Sequence, residues 1–123
     1  MSTRPRLQPT DSHPISITPT GKHVTVRVNG DVVAETDHAQ TLQESTYAPV
    51  HYIPIADVNN ELLRRTDTAT YCPYKGDASY YSVVTAGGTV DDAIWTYEEP
   101  YEAVSVIAGH VAFYPDKAEI TVG

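Results

Sequence analysis

The chain has 123 residues, 41% hydrophobic and 20% charged, a length suited to one core and a composition unlike that of disordered or membrane proteins. Acidic residues outnumber Lys and Arg by 16 to 8, for a formal net charge of -8. That field repels phosphate polyanions, so no nucleic-acid partner is expected. No run approaches the roughly 18 apolar residues of a membrane span, and the first residues lack the apolar stretch of a secretory signal. A cytoplasmic protein with no membrane partner is therefore expected. Cys72 is the only cysteine, which excludes an internal disulfide and any structural zinc site built from paired CxxC motifs. No metal or other cofactor is expected. Tyrosine stands out, with nine residues against one Phe and one Trp. Keeping an oxygen on most aromatic rings suits half-buried strand faces and the walls of a polar cleft.

In chain order, residues 1–14 carry Pro5, Pro9 and Pro14 without periodicity and predict a flexible lead-in. A single β-rich domain is expected over 15–123. Val24-Thr25-Val26-Arg27-Val28 alternates, Asn29-Gly30 supplies a tight turn, and Val32 to Glu35 returns as a hairpin. A strict two-residue turn pairs Val26 with Val33 and Val24 with Glu35, which places a carboxylate on the valine face, where it needs a cation. A one-residue bulge would instead turn Glu35 outward. Both arrangements remain open from the sequence.

Asp37-x-x-Gln40 has the spacing of a capping box, so a short helix is predicted within Thr36 to Glu44. Val50 to Ile55 reads as a strand, placed at an edge because Pro54 lacks an amide. Asp57 to Arg65 predicts a two-turn helix with an acidic start and a basic end. Strands follow at Thr68–Cys72, Ala78–Val84, Ala93–Tyr97, Val111–Tyr114 and Ala118–Val122, with a turn at Gly87-Gly88. A last short helix is predicted between Pro100 and Gly109. The fold class is thus mainly β, with two or three short helices.

Several segments together carry a resemblance: Val33-Ala34-Glu35-Thr36, Tyr52-Ile53-Pro54, Asp57-Val58, Thr70 to Tyr81, Trp95-Thr96-Tyr97 and Ile107 to Pro115. In this order they resemble the bacterial and fungal family catalogued as domain of unknown function 427, whose short name carries a nucleotidyltransferase label. The resemblance implies a compact β fold similar to the β-tent of methionine sulfoxide reductases and of the ligand-binding domain of cereblon, and no established activity. Those β-tent relatives commonly hold zinc with cysteines, which a chain with one cysteine does not share. The label itself finds no chemistry to rest on. Asp91-Asp92 are adjacent, so on a strand they face opposite sides instead of holding metal together, and no phosphate-binding Gly-rich loop is present.

The residues brought together as a candidate site are Glu35, Tyr52, Cys72, Lys75, Tyr80, Trp95 and His110. Glu35, if inward, needs Lys75 or His110 as its cation. Lys75-Gly76-Asp77 also reads as plain turn chemistry, with Lys75 exposed for solubility. Cys72 near Lys75 would be activated as a thiolate if the charge is close, and is otherwise core packing. One ring of Tyr80-Tyr81 must face each side of its strand. Trp95 with Tyr97, and Ala112 with Tyr114, share strand faces and form either an aromatic wall or core. His110 is an acid or base, or a structural hydrogen-bonding residue.

Three functions follow as expectations. The first is a module that binds a small polar or aromatic ligand in a Tyr- and Trp-lined cleft. The second is an enzyme using Glu35, Lys75 or Cys72 in acid-base or nucleophilic chemistry. The third is an interaction protein, a homodimer through the edge at Tyr52-Ile53-Pro54.

Overall fold

The computed structural model describes residues 4–123. Its strands are β1 (Ile15–Pro19), β2 (Val24–Val28), β3 (Asp31–Thr36), β4 (Gln40–Glu44), β5 (Val50–Pro54), β6 (Leu63–Cys72), β7 (Gly76–Thr85), β8 (Gly88–Thr96), β9 (His110–Phe113) and β10 (Glu119–Val122). They form a seven-stranded sheet in the order β1-β4-β5-β9-β8-β7-β6 and a three-stranded sheet in the order β10-β2-β3. All named pairings are antiparallel. The protein is mainly β, as the alternating sequence pattern predicts. No helix among the described residues is long and apolar enough to cross a membrane.

The hairpin turns at Asn29 and Gly30, with φ of 52° and 83°, the positive pair that a tight hairpin requires. Its register shifts between Val26 and Arg27: Arg27 pairs with Val32, but Val26 pairs with Ala34. Val33 is the extra residue, and both Val33 and Ala34 are buried. The bulge therefore keeps two successive apolar residues in the core and turns Glu35 outward, where its side chain is 57% exposed beside His23. The alternative with Glu35 among the valines is excluded. Burying an unpartnered carboxylate would cost more than one disrupted rung of the ladder.

Three other segments differ from the sequence reading. Residues predicted as a helix after Thr36 form β4, which pairs with β1 on one side and β5 on the other. Thr36 Oγ1 accepts from the His38 amide at 2.9 Å and donates to Asp57 at 2.6 Å, so the expected cap becomes a turn. Asp57–Arg65 is not a two-turn helix. Single 3-10 turns at Ile55–Asp57 and Asn60–Leu62 lead into β6, and Leu63, Arg64 and Arg65 pair with Val83, Ser82 and Tyr81. Ladder formation outweighs a helix too short to hold by propensity.

The β5 strand is interior, between β4 and β9, so Tyr52-Ile53-Pro54 is not the edge expected for a homodimer. Pro54 is tolerated because it ends the strand, after which the Ile55 amide resumes by donating to Gly109 O at 2.9 Å. The segment after Pro100 forms a kinked 3-10 stretch, Glu102–Ile107, which buries Val104 and Ile107.

Alternation lets the large sheet serve two cores. Ile53, Ile94, Val111 and Phe113 pack with the valines of the small sheet. Their chain neighbours Tyr52, Trp95 and Ala112 face a second cluster with Leu42, Tyr80 and Ile107. Successive strand residues point to opposite faces, so one sequence builds both. Ile94 is fully buried, at 0% exposure. Ile94→Ala is expected to lower unfolding stability in urea by about 2–5 kcal/mol, whereas Glu35→Ala should leave the urea midpoint essentially unchanged.

Candidate functional site

The second cluster opens into a cleft of about 230 Å³. Its floor is set by register: Tyr80 pairs with Trp95, and Trp95 with Ala112. The small Ala112 leaves space over β9, and the ring of Tyr114, just beyond that strand, lies 4.5 Å from Trp95 at an interplanar angle of 47°. Trp95 Nε1 donates to Tyr52 Oη at 3.2 Å, and the two rings meet edge to face. Tyr80 shares a hydrogen bond of 2.9 Å with Thr70 and stacks with Tyr114. Tyr97, two residues beyond Trp95, adds another wall, while Tyr47 is an exposed rim residue. Burial pushes the phenols of Tyr52, Tyr97 and Tyr114 well above the ordinary tyrosine value. They therefore remain neutral hydroxyls across the physiological range.

One end of the cleft is charged. Pro73 follows Cys72 in a turn closed by the Lys75 amide donating to Cys72 O at 3.2 Å, a position that suits proline. Gly76 then takes φ of 110°, a backbone conformation that residues other than glycine rarely adopt. This geometry folds Lys75 inward, leaving its side chain 9% exposed, and its Nζ donates to Glu44 Oε1. The other Glu44 oxygen lies 2.8 Å from His13 Nε2. Desolvation pushes the Glu44 carboxyl up, but the hydrogen bonds from Lys75 and His13 prevail and hold it below the usual carboxylate range. His13 is itself stacked on Tyr74, with ring centroids 4.3 Å apart.

His13 belongs to the segment expected as a flexible lead-in. Residues 4–14 run along the β6–β7 hairpin: the Leu7 amide donates to Pro73 O at 2.9 Å, and Tyr71 donates to Pro5 O at 2.6 Å. Arg4 pairs with Asp77, and the Arg6 guanidinium lies 4.1 Å from the Tyr101 ring centroid.

Of the sequence-predicted residues, Tyr52, Lys75, Tyr80 and Trp95 line the cleft together. Cys72 is half-buried behind it, with Sγ 3.8 Å from Lys75 Nζ. Lys75 is not a solubilising turn residue, because burial and its partner define it. Glu35 belongs to the outer face of the small sheet. His110 is also elsewhere: its Nδ1 bonds Ala108 O at 2.9 Å and its carbonyl accepts from Thr96 at 2.7 Å, so it holds the turn into β9. The cation of the cleft does have a carboxylate partner, but that partner is Glu44. Glu44 and His13 were not anticipated. Reading Gln40-Thr41-Leu42-Gln43-Glu44 as a strand would have put Leu42 and Glu44 on one face, and the apparent helix cap obscured that alternation.

Asp91-Asp92 form no metal-binding pair. Asp92 accepts from Thr66 and Thr68, each at 2.7 Å, and these bonds hold its carboxyl low. Among the described residues, no three His, Cys, Asp or Glu side chains converge as a metal site requires.

The fold and site together define a mainly β protein whose larger sheet carries an aromatic cleft closed at one end by a buried ion pair. Residues 16–123 match the family described as Domain of unknown function (DUF427), and the chain belongs to that family. No curated protein matches it.

Removing one partner of a largely buried pair strands the other charge. Lys75→Met is expected to cost about 3 kcal/mol, the low end for such pairs because Glu44 retains 15% exposure. The double variant Glu44→Gln/Lys75→Met should recover part of that loss. Since the folded Glu44 pKa is depressed, its contribution is present above the unfolded value of about 4.5 and disappears as pH falls through the folded value. Urea unfolding as a function of pH should therefore show a shallower acid limb in Lys75→Met than in the wild type.

Proposed function

We propose that this protein is a binding module for a small, planar, uncharged polar ligand held in the Tyr- and Trp-lined cleft. The carrying observation is that four of the sequence-predicted residues meet Glu44, Tyr97 and Tyr114 around one opening. Aromatic walls favour a flat molecule, and neutral phenols offer hydrogen-bond donors to its oxygens. Glu44 and Lys75 balance each other, so the cleft offers an acceptor beside a donor without a net charge to be neutralised. At about 230 Å³ the space lies below the roughly 300–1,000 Å³ typical of drug-sized ligands, which favours a compact head group. Engagement of Lys75 Nζ by Glu44 and the outward position of Glu35 favour binding over the alternative of an enzyme using Glu35, Lys75 or Cys72 in acid-base or nucleophilic chemistry. The two antiparallel sheets are consistent with the β-tent likeness, in which a cleft of this kind would be the ligand site.

The test is a thermal-shift panel of aromatic amides, nucleosides, sugars and amino-acid derivatives, with hits titrated by the emission of Trp95, the single tryptophan. A planar amide such as benzamide is expected to raise the melting temperature by mass action and to alter that emission. Tyr97→Phe should weaken its binding by roughly three- to tenfold, the value of one hydrogen bond. No hit in any class, together with a melting temperature that rises with protein concentration, would favour an interaction protein instead, through a surface other than β5.

A further inference from the structure

Trp95 borders a second depression. It lines an apolar groove of about 260 Å³, formed with Pro49, Phe113, Pro115, Ile120 and Val122. The groove and the cleft share Ala48, Val50 and Trp95, so one short segment of chain and one ring form the boundary of both. Their chemistry differs sharply. The cleft ends in the Glu44–Lys75 pair and carries five tyrosines, whereas among the described residues the groove has no Asp, Glu, Lys or Arg. The one titratable group in the groove is His51, which Thr41 meets at 3.0 Å and whose pKa is pushed down by burial, favouring the neutral ring. Val122 remains 39% exposed at the rim, an apolar side chain that has not been covered by the fold.

Size argues in the same direction. Each depression alone is smaller than the roughly 300–1,000 Å³ that an ordinary small-molecule ligand occupies, and the two together fall within that range. We propose that the ligand is amphipathic, with its planar polar head in the tyrosine cleft and an aliphatic or aryl tail passing Trp95 into the groove between Pro49 and Val122. This rests on the binding reading above and adds the chemical class of the ligand. The groove supplies affinity through burial of apolar area, and the cleft supplies orientation through directed hydrogen bonds.

Benzamide and its para-ethyl and para-butyl derivatives serve as probes, titrated by Trp95 emission and by calorimetry. Affinity is expected to tighten by about three- to fourfold for each added methylene. Val122→Glu and, independently, Pro115→Glu alter exposed groove residues. Each should leave benzamide binding unchanged and abolish the gain from the tail, with melting temperatures confirming that the variants fold. Tyr97→Phe should weaken all three probes by one common factor. Benzamide binding with no gain along the series, or a gain that survives both groove variants, overturns the amphipathic class while leaving the head-group reading intact. No binding by any of the three overturns both.

Discussion

Glu44 and Lys75 come from nearly opposite ends of one sheet, yet their side chains are bonded. Glu44 ends β4, the second strand in spatial order, and Lys75 sits in the turn between β6 and β7 at the far edge. The sheet must curl for them to meet, and that curl makes its inner face a cleft instead of a flat surface. His13 reinforces the closure from the lead-in, which also bonds the Pro73 turn. The pair is mostly withdrawn from water, and each partner satisfies the other. An apolar pair could close the sheet as well, but it would not leave a donor and an acceptor side by side at the end of the cleft.

The abundance of tyrosine follows from the two-faced sheet. The face toward the small sheet is filled by Val, Ile and Phe, which need no partner for a polar atom. The inner face is only partly covered, by the kinked turn that carries Val104 and Ile107. Tyr52, Tyr80, Tyr97 and Tyr114 bury their rings there while their oxygens bond one another, Thr70 and Trp95, or face the opening. Phenylalanine in these places would pack as well but would leave the cleft without directed donors. The single Phe, Phe113, lies on the dry side.

Much of this architecture is legible in the residues. Alternation and Asn29-Gly30 identify the first hairpin, and the split of Tyr80 and Tyr81 between faces follows from strand geometry alone. Trp95, Tyr97 and Tyr114 could be anticipated as an aromatic wall, and Lys75 as a cation available to an inward carboxylate. The identity of that carboxylate was not legible, because it depends on a closure of the sheet that no local pattern records. Glu35 was the plausible local choice until the bulge at Val33 turned it to solvent. β4 was obscured by a sequence that satisfies a helix cap, and two neighbouring ladders decided otherwise. Pro54 marks the end of a strand as readily as an edge, and only the sheet order distinguishes the two.

The claim on which the rest stands is that Glu44 is an ionised, paired carboxylate inside the cleft. The most direct measurement is the carbon-13 shift of its side-chain carboxyl, followed by NMR from neutral pH into acid, with Glu44→Gln providing the assignment. An inflection clearly below the ordinary value of about 4.5 is predicted, because Lys75 and His13 bond the charged form. An inflection at or above that value would mean that desolvation prevails and the pair is not formed, and would contradict the account of how the sheet closes.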